Sequence, residues 1–179
     1  MKMLLLSLTI TIVFLIFCVS ANAQNITKGY KQVDLGSTFN PKTSLGAEFS
    51  GSGSFGYFFG DYLSIGAFVN FGFDNVQKVS HLGGTLERLF PTGSQIVPFI
   101  GSVIGIYNYS DKSIDANNIE YHDSAFILTC YGGTNYFINN SIAIRTKANF
   151  SLATDEIFAK ENEMTNTEFI LNLGFVIYF

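Results

Sequence analysis

The chain has 179 residues, of which 47% are hydrophobic, 16% aromatic and only 13% charged, with a formal net charge of −4. A nucleic-acid partner would call for a basic stripe, which this balance excludes. No apolar run after Ala23 reaches the roughly 20 residues that a membrane-spanning helix needs, and Cys130 alone among cysteines lies beyond that point, which excludes an intramolecular disulfide there.

The first element is a leader. Lys2 precedes an apolar stretch from Leu4 to Val19, and Ala21 and Ala23 supply the small-x-small pattern of a secretory cleavage site. Residues 1–23 therefore read as a cleaved signal peptide, with residues 24–179 as the exported domain. An anchoring helix would need a longer core and a basic flank. A lipoprotein would use Cys18, but Phe17 is too large for the residue preceding such a site.

From Gln24 the chain alternates apolar and polar residues with period two, the signature of strands with two unlike faces. A first strand is expected over Tyr30 to Phe39, broken by Asn40-Pro41-Lys42. The second, Ser44 to Phe59, places Leu45, Ala47, Phe49, Phe55, Tyr57 and Phe59 on one side and Glu48, Ser50, Ser52 and Ser54 on the other. Gly60-Asp61 turns it. The third carries Leu63, Ile65, Ala67, Val69, Phe71 and Phe73 on its apolar parity. A loop at Asp74 to Val79 leads to the fourth, with Leu82, Leu86 and Phe90 opposite Gly83, Thr85 and Glu87, and Pro91-Thr92-Gly93-Ser94 turns it back.

The fifth strand, Val97 to Tyr109, is apolar on both parities, and its faces stay open at this level. A polar loop from Ser110 to Asp123 precedes a sixth strand over Ala125 to Phe137, and Ile138-Asn139-Asn140 forms a short turn. The seventh sets Ile142, Ile144, Ala148, Phe150 and Leu152 against Ser141, Arg145, Lys147, Asn149 and Ser151. A loop from Thr154 to Asn166 feeds the closing strand, Thr167 to Phe179. In that strand Leu171, Leu173, Phe175, Ile177 and Phe179 form an unbroken apolar row to the carboxyl terminus, suited to hydrocarbon.

Eight strands, three short turns and four longer connections predict an all-β, eight-stranded antiparallel up-and-down transmembrane β-barrel with both termini at one rim. Trp is absent, so Phe and Tyr would supply the interfacial belts. Tyr57, Phe58, Phe59, Tyr62, Phe90, Tyr136, Phe137, Tyr178 and Phe179 all cluster at the short turns or the terminus.

With these features the chain resembles the small outer-membrane β-barrel proteins of Gram-negative bacteria, the porin-like barrel-domain family of OmpA/OmpX-type architecture. The resemblance implies residence in the bacterial outer membrane, contact with its lipid and lipopolysaccharide, and biogenesis through periplasmic chaperones and the barrel assembly machinery. The row Leu171, Leu173, Phe175, Ile177 and Phe179 looks like the terminal signal that this machinery reads. It does not fix an activity, because such barrels include structural proteins, adhesins, narrow pores and some lipid-modifying enzymes.

Asp34, Glu48, Glu87, Arg145 and Lys147 fall on the parity assigned to the interior. An eight-stranded barrel is just wide enough to be filled by side chains, so opposite charges there are expected to pair and block a continuous water path. Gly51-Ser52-Gly53-Ser54-Phe55-Gly56 matches the letters of a dinucleotide fingerprint, but the required helix does not follow. Its glycines read as relieving crowding or forming a bulge.

His81 and His122, with Ser80, Asp123 and Ser124, could supply a hydrolytic set at outer-facing loops, against hydrogen bonding at the rim as the plainer reading. The two last long loops each carry a net charge of −3 over their Asp, Glu and Lys residues, as solvated loops do. No catalytic residue, cofactor or metal site is assigned. The expected role is structural or surface-interacting, with the outer loops held for an extracellular ligand. A narrow porin-like channel for ions or small solutes is the alternative, and an outer-leaflet lipid-modifying enzyme the third.

Overall fold

A computed structural model of the chain describes residues 25–43, 46–73, 77–111, 121–160 and 163–179. The leader assigned to residues 1–23 lies outside the described residues. The described residues form ten strands: β1 (Lys31–Thr43), β2 (Gly46–Gly60), β3 (Leu63–Phe73), β4 (Gln77–Leu89), β5 (Ile96–Asp111), β6 (Tyr121–Phe137), β7 (Ile142–Ala153), β8 (Phe158–Lys160), β9 (Glu163–Thr165) and β10 (Thr167–Tyr178).

Each strand from β1 to β7 pairs antiparallel with its sequence neighbour, and β10 pairs with both β7 and β1 to close an eight-stranded barrel. The closing seam runs from Gln32 opposite Tyr178 to Ser37 opposite Leu173. Reciprocal bonds between the backbones of Lys31 and Phe179, at 2.7 and 3.0 Å, extend it to the last residue. Closure satisfies the backbone within the strands and leaves no edge, which a wall surrounded by lipid requires.

The period-two pattern then separates inside from outside. Leu171 is 68% exposed and Phe126 65% exposed on the outer face, whereas Arg145 and Glu87 are each 2% exposed in the lumen. This is the reverse of a soluble domain, and it follows from hydrocarbon being the outer solvent. The rows of β2, β3, β7 and β10 read from sequence fall on the expected sides wherever their side chains are described. The row that ends the chain, Leu171, Leu173, Phe175, Ile177 and Phe179, is outward and exposed throughout.

For β5, pairing decides what periodicity could not. Its register against β4 and β6 turns Val97, Phe99, Val103 and Tyr109 inward and leaves Ile100, Ile104 and Ile106 outside.

Several boundaries differ from the sequence expectation. Asn40-Pro41-Lys42 does not end β1: the strand runs to Thr43 with a register irregularity between Asn40 and Thr43. Proline has no N–H to give a ladder, and such an irregularity is where a strand accommodates it. The first tight turn is Asp61-Tyr62, with Gly60 paired to Leu63 and Tyr62 at φ 60°. Residues 77–79 belong to β4, and residues 110–111 and 121–123 to β5 and β6. The connection read as a loop over 154–166 contains the β8–β9 hairpin.

Between Gly51 and Phe58 the register of β2 is continuous on both sides, so the glycine-rich stretch forms no bulge. Only Gly56 of its three glycines is crowded: a Cβ there would lie 2.9 Å from Gln32 Cγ, whereas Gly51 and Gly53 face ordinary or open space.

The barrel interior as candidate functional site

Near the short turns the lumen is apolar. Phe58, Leu89, Val97, Phe137, Ala143, Val176 and Tyr178 form one buried cluster, with the Tyr178 ring 5.3 Å from Phe137 and 6.1 Å from Phe58. The aromatic belt expected at this rim is therefore split. Tyr57, Phe59, Phe90 and Phe179 face outward, but Phe58, Phe137 and Tyr178 are buried inside, because adjacent positions of a strand point to opposite faces.

Ile26 joins this cluster from outside the barrel strands and is 1% exposed. Its segment is tied to the rim by Tyr62 N donating to Ile26 O at 3.2 Å, Gly29 N to Phe58 O at 2.8 Å and Lys28 N to Asp61 Oδ1 at 3.2 Å. Periodicity gave no sign of this role, since Ile26 precedes the first strand.

Directly beyond the apolar layer lies Arg145 from β7. Its guanidinium makes a bidentate contact with Glu87 of β4, Nη1 to Oε2 at 3.0 Å and Nη2 to Oε1 at 2.9 Å. Nη1 also reaches Asp34 Oδ2 of β1 at 3.0 Å. Nε donates to Asn135 Oδ1 at 2.8 Å, and Nη2 to the Tyr178 hydroxyl at 3.3 Å, which also accepts from Asn135 Nδ2 at 2.9 Å. The guanidinium carbon lies 4.3 Å from the centroid of the Phe99 ring. Gln32 Nε2 donates to Glu87 Oε1 at 3.2 Å.

Lys147, one inward position further along β7, stands 3.6 Å from the same Asp34 oxygen. Its ammonium lies 5.2 Å from the Tyr131 ring centroid and 5.8 Å from that of Phe68. The structure thus brings together four of the five charged residues singled out from sequence, Asp34, Glu87, Arg145 and Lys147, in a set with two charges of each sign. Burial of these charges is tolerable because Arg145, Glu87 and Asp34 are paired and hydrogen-bonded and Lys147 faces Asp34 and two aromatic rings. The Glu48 side chain lies outside the described residues, while its backbone pairs with Asn40. Asn135, Tyr178, Gln32 and Phe99 complete the cluster. The inward faces of Phe99 and Asn135 became visible only with the registers of β5 and β6, whereas Gln32 and Tyr178 share the inward parity of Asp34 on β1 and of Asn172 and Gly174 on β10.

Toward the longer connections small hydroxyl and amide side chains are interspersed among the rings. A cavity of about 70 Å³ is lined by Ser52, Asn70, His81, Thr129, Lys147 and Ser151, among others. Thr129 and Ser151 hydroxyls bond across β6 and β7 at 2.9 Å, and Asn149 donates to Asn172 between β7 and β10.

His81 is not a rim residue. It is 6% exposed, packed edge-on against Phe68 at 5.0 Å and 6.1 Å from Tyr107. Ser80, its neighbour on β4, points to the other face, so the two cannot act as nucleophile and base. The side chains of His122 and Asp123 lie outside the described residues. Ser124 Oγ donates to Asn108 Oδ1 at 2.9 Å. Among the described residues no His, Cys, Asp and Glu group is arranged to hold a metal ion.

Above the cavity, Ile157 and Phe158 are buried against Tyr107, Ala125, Ile127 and Ala153, with the Phe158 ring 5.5 Å from that of Tyr107. The entry into β8 is thus anchored to the β5, β6 and β7 side of the barrel.

Residues 9–176 match the family described as outer membrane protein beta-barrel domain. No curated protein matches the sequence. Among solved structures, the N-terminal β-barrel domain of Pseudomonas aeruginosa OprF aligns with a TM-score of 0.54 at 16% identity, covering 88% of this chain and 99% of that one. Neisserial surface protein A aligns at 0.54 and 19% identity, covering 83% and 94%. Ail, the attachment invasion locus protein of Yersinia pestis, aligns at 0.54 and 10% identity, covering 86% and 100%. At such identities the likeness establishes the fold alone. Family match, closed barrel and lipid-suited outer face agree: the chain belongs to the outer membrane protein beta-barrel domain family and is an integral barrel of the outer membrane.

Proposed function

We propose that the protein works through its surface, as a structural barrel that presents its longer connections outside the cell, with the short turns and the terminus in the periplasm. The observation that carries this reading is the filled half of the lumen, where Ile26, Phe58, Leu89, Phe137 and Tyr178 stand beneath the Arg145 cluster. Packed side chains of this kind leave no continuous water path through so narrow a barrel. A rigid wall then holds the loops for lipopolysaccharide, host surfaces or other proteins. Names such as surface protein and attachment invasion locus protein belong to the similar structures and lend this chain only a parallel.

The test is conductance. Purified protein in planar bilayers is expected to show little steady current, and reproducible unitary steps would replace this reading with the narrow channel. Exchange of residues 155–165 for a short Gly/Ser turn should abolish attachment to lipopolysaccharide-bearing or host surfaces while the barrel stays folded. Retained attachment would count against presentation by that loop. During biogenesis, the assembly machinery would read the row Leu171 to Phe179, so removal of Phe179 should lower the amount of folded barrel in the membrane.

A further inference from the structure

The cavity beyond Lys147 holds two polar atoms that the protein leaves without a partner. Asn70 on β3 and His81 on β4 are directly opposite each other in the ladder. Asn70 Oδ1 and His81 Nε2 are both buried, and neither makes a hydrogen bond, although both side chains line the cavity. Buried polar groups are ordinarily paired, so two such atoms on facing residues of one cavity wall call for something to fill it.

The surrounding charges narrow the choice. Lys147 reaches the cavity from its floor, but Asp34 offsets its charge at 3.6 Å, and Glu168 lines the same space. Lys147 and Asp34 cancel, which leaves an anion no net positive field, and the Glu168 side chain already interacts with other groups of the protein. The remaining polar lining is hydroxyl and amide, from Ser52, Thr129, Ser151 and Asn172. Phe68 and Tyr131 contribute ring surface.

We infer that this cavity is a binding site for a small neutral polyol of about three carbons, a size that suits a space for several waters. One hydroxyl donates to Asn70 Oδ1. The neighbouring hydroxyl pairs with His81 Nε2, as donor or acceptor according to the imidazole tautomer. The carbon skeleton rests against the Phe68 and Tyr131 rings. The filled half of the lumen stands between this site and the short-turn rim, so solute comes and goes at the long-loop end. This site goes beyond loop presentation and does not depend on it.

Glycerol is the probe. The protein in phospholipid nanodiscs, labelled with ¹⁵N, is titrated while the His81 imidazole and Asn70 amide resonances are followed. Saturable shifts at both are expected. Asn70→Val should weaken glycerol binding roughly five-fold, the effect of one lost neutral hydrogen bond. His81→Phe, which keeps a ring between Phe68 and Tyr107, should do the same and serves as the second variant should the first fold poorly. Shifts that rise linearly without saturating, or that saturate equally in both variants, would overturn the site and leave the cavity to water. Saturation by sodium acetate but not by glycerol would overturn the neutral-polyol assignment in favour of anion binding at Lys147.

Discussion

Between the short turns and Arg145 the lumen is filled by Ile26, Phe58, Leu89, Phe137 and Tyr178, whereas beyond Lys147 the same eight strands enclose a cavity edged by Ser52, Asn70, Thr129 and Ser151. The backbone ladder is continuous through both regions, so the wall does not make the difference. Side-chain size does. Large rings and a branched guanidinium meet across the lower half, while in the upper one small Ser52, Thr129 and Ser151 are interspersed with Phe68, His81 and Tyr131 and leave a gap. One barrel can therefore be stoppered at one end and receptive at the other without any change in strand number.

Arg145→Ala should have the largest effect. It strands Glu87 in the filled half, leaves Asp34 to Lys147 alone, and should destabilise the barrel by about 3–5 kcal/mol, the scale for breaking a buried ion pair. The check is the temperature at which gel mobility changes from folded to unfolded; an unchanged profile would remove the cluster from any stabilising role. Replacing Arg145, Glu87, Asp34 and Lys147 together by apolar residues of similar volume should cost far less, since all four paired charges are then removed together.

Ile26→Ala should destabilise by roughly 2–5 kcal/mol if the stopper is packed like a core, with the loss read by denaturant titration in lipid. A negligible change would mean that this segment merely rests on the rim.

Gly101→Ala probes the boundary between the two regions. A Cβ at Gly101 would collide with the Tyr131 ring and approach Leu86 O to 2.7 Å, and Tyr131 in turn lies beside Lys147. A cost of about 1–3 kcal/mol is expected from overpacking, together with shifted resonances of cavity residues.

Thr129→Val should cost least, about 0.5–1.5 kcal/mol for its hydrogen bond with Ser151. A loss as large as that from Arg145→Ala would erase the contrast between the halves.

Much of the wall was legible before any coordinates. Alternation in β2, β3, β7 and β10 reports a face in contact with hydrocarbon, because lipid tolerates only apolar side chains over several strand positions. The same parity marked Asp34, Glu87, Arg145 and Lys147 as inward. It said nothing about which carboxylate meets which cation, since Arg145 and Asp34 are 111 residues apart. His81 was read as a rim residue because it stands near the start of its strand. That reading failed because β4 begins at Gln77 and carries His81 below the mouth.

By itself, then, the sequence determined an outer face for lipid, an eight-strand count and an interior with charges of both signs, since these are local consequences of period-two patterning. Tertiary structure alone decided the faces of β5, the bidentate hold of Glu87 on Arg145, the recruitment of Ile26 and the pairing of Asn70 with His81. Those depend on register and closure, which bring distant strands to the same height, and no local pattern encodes that height.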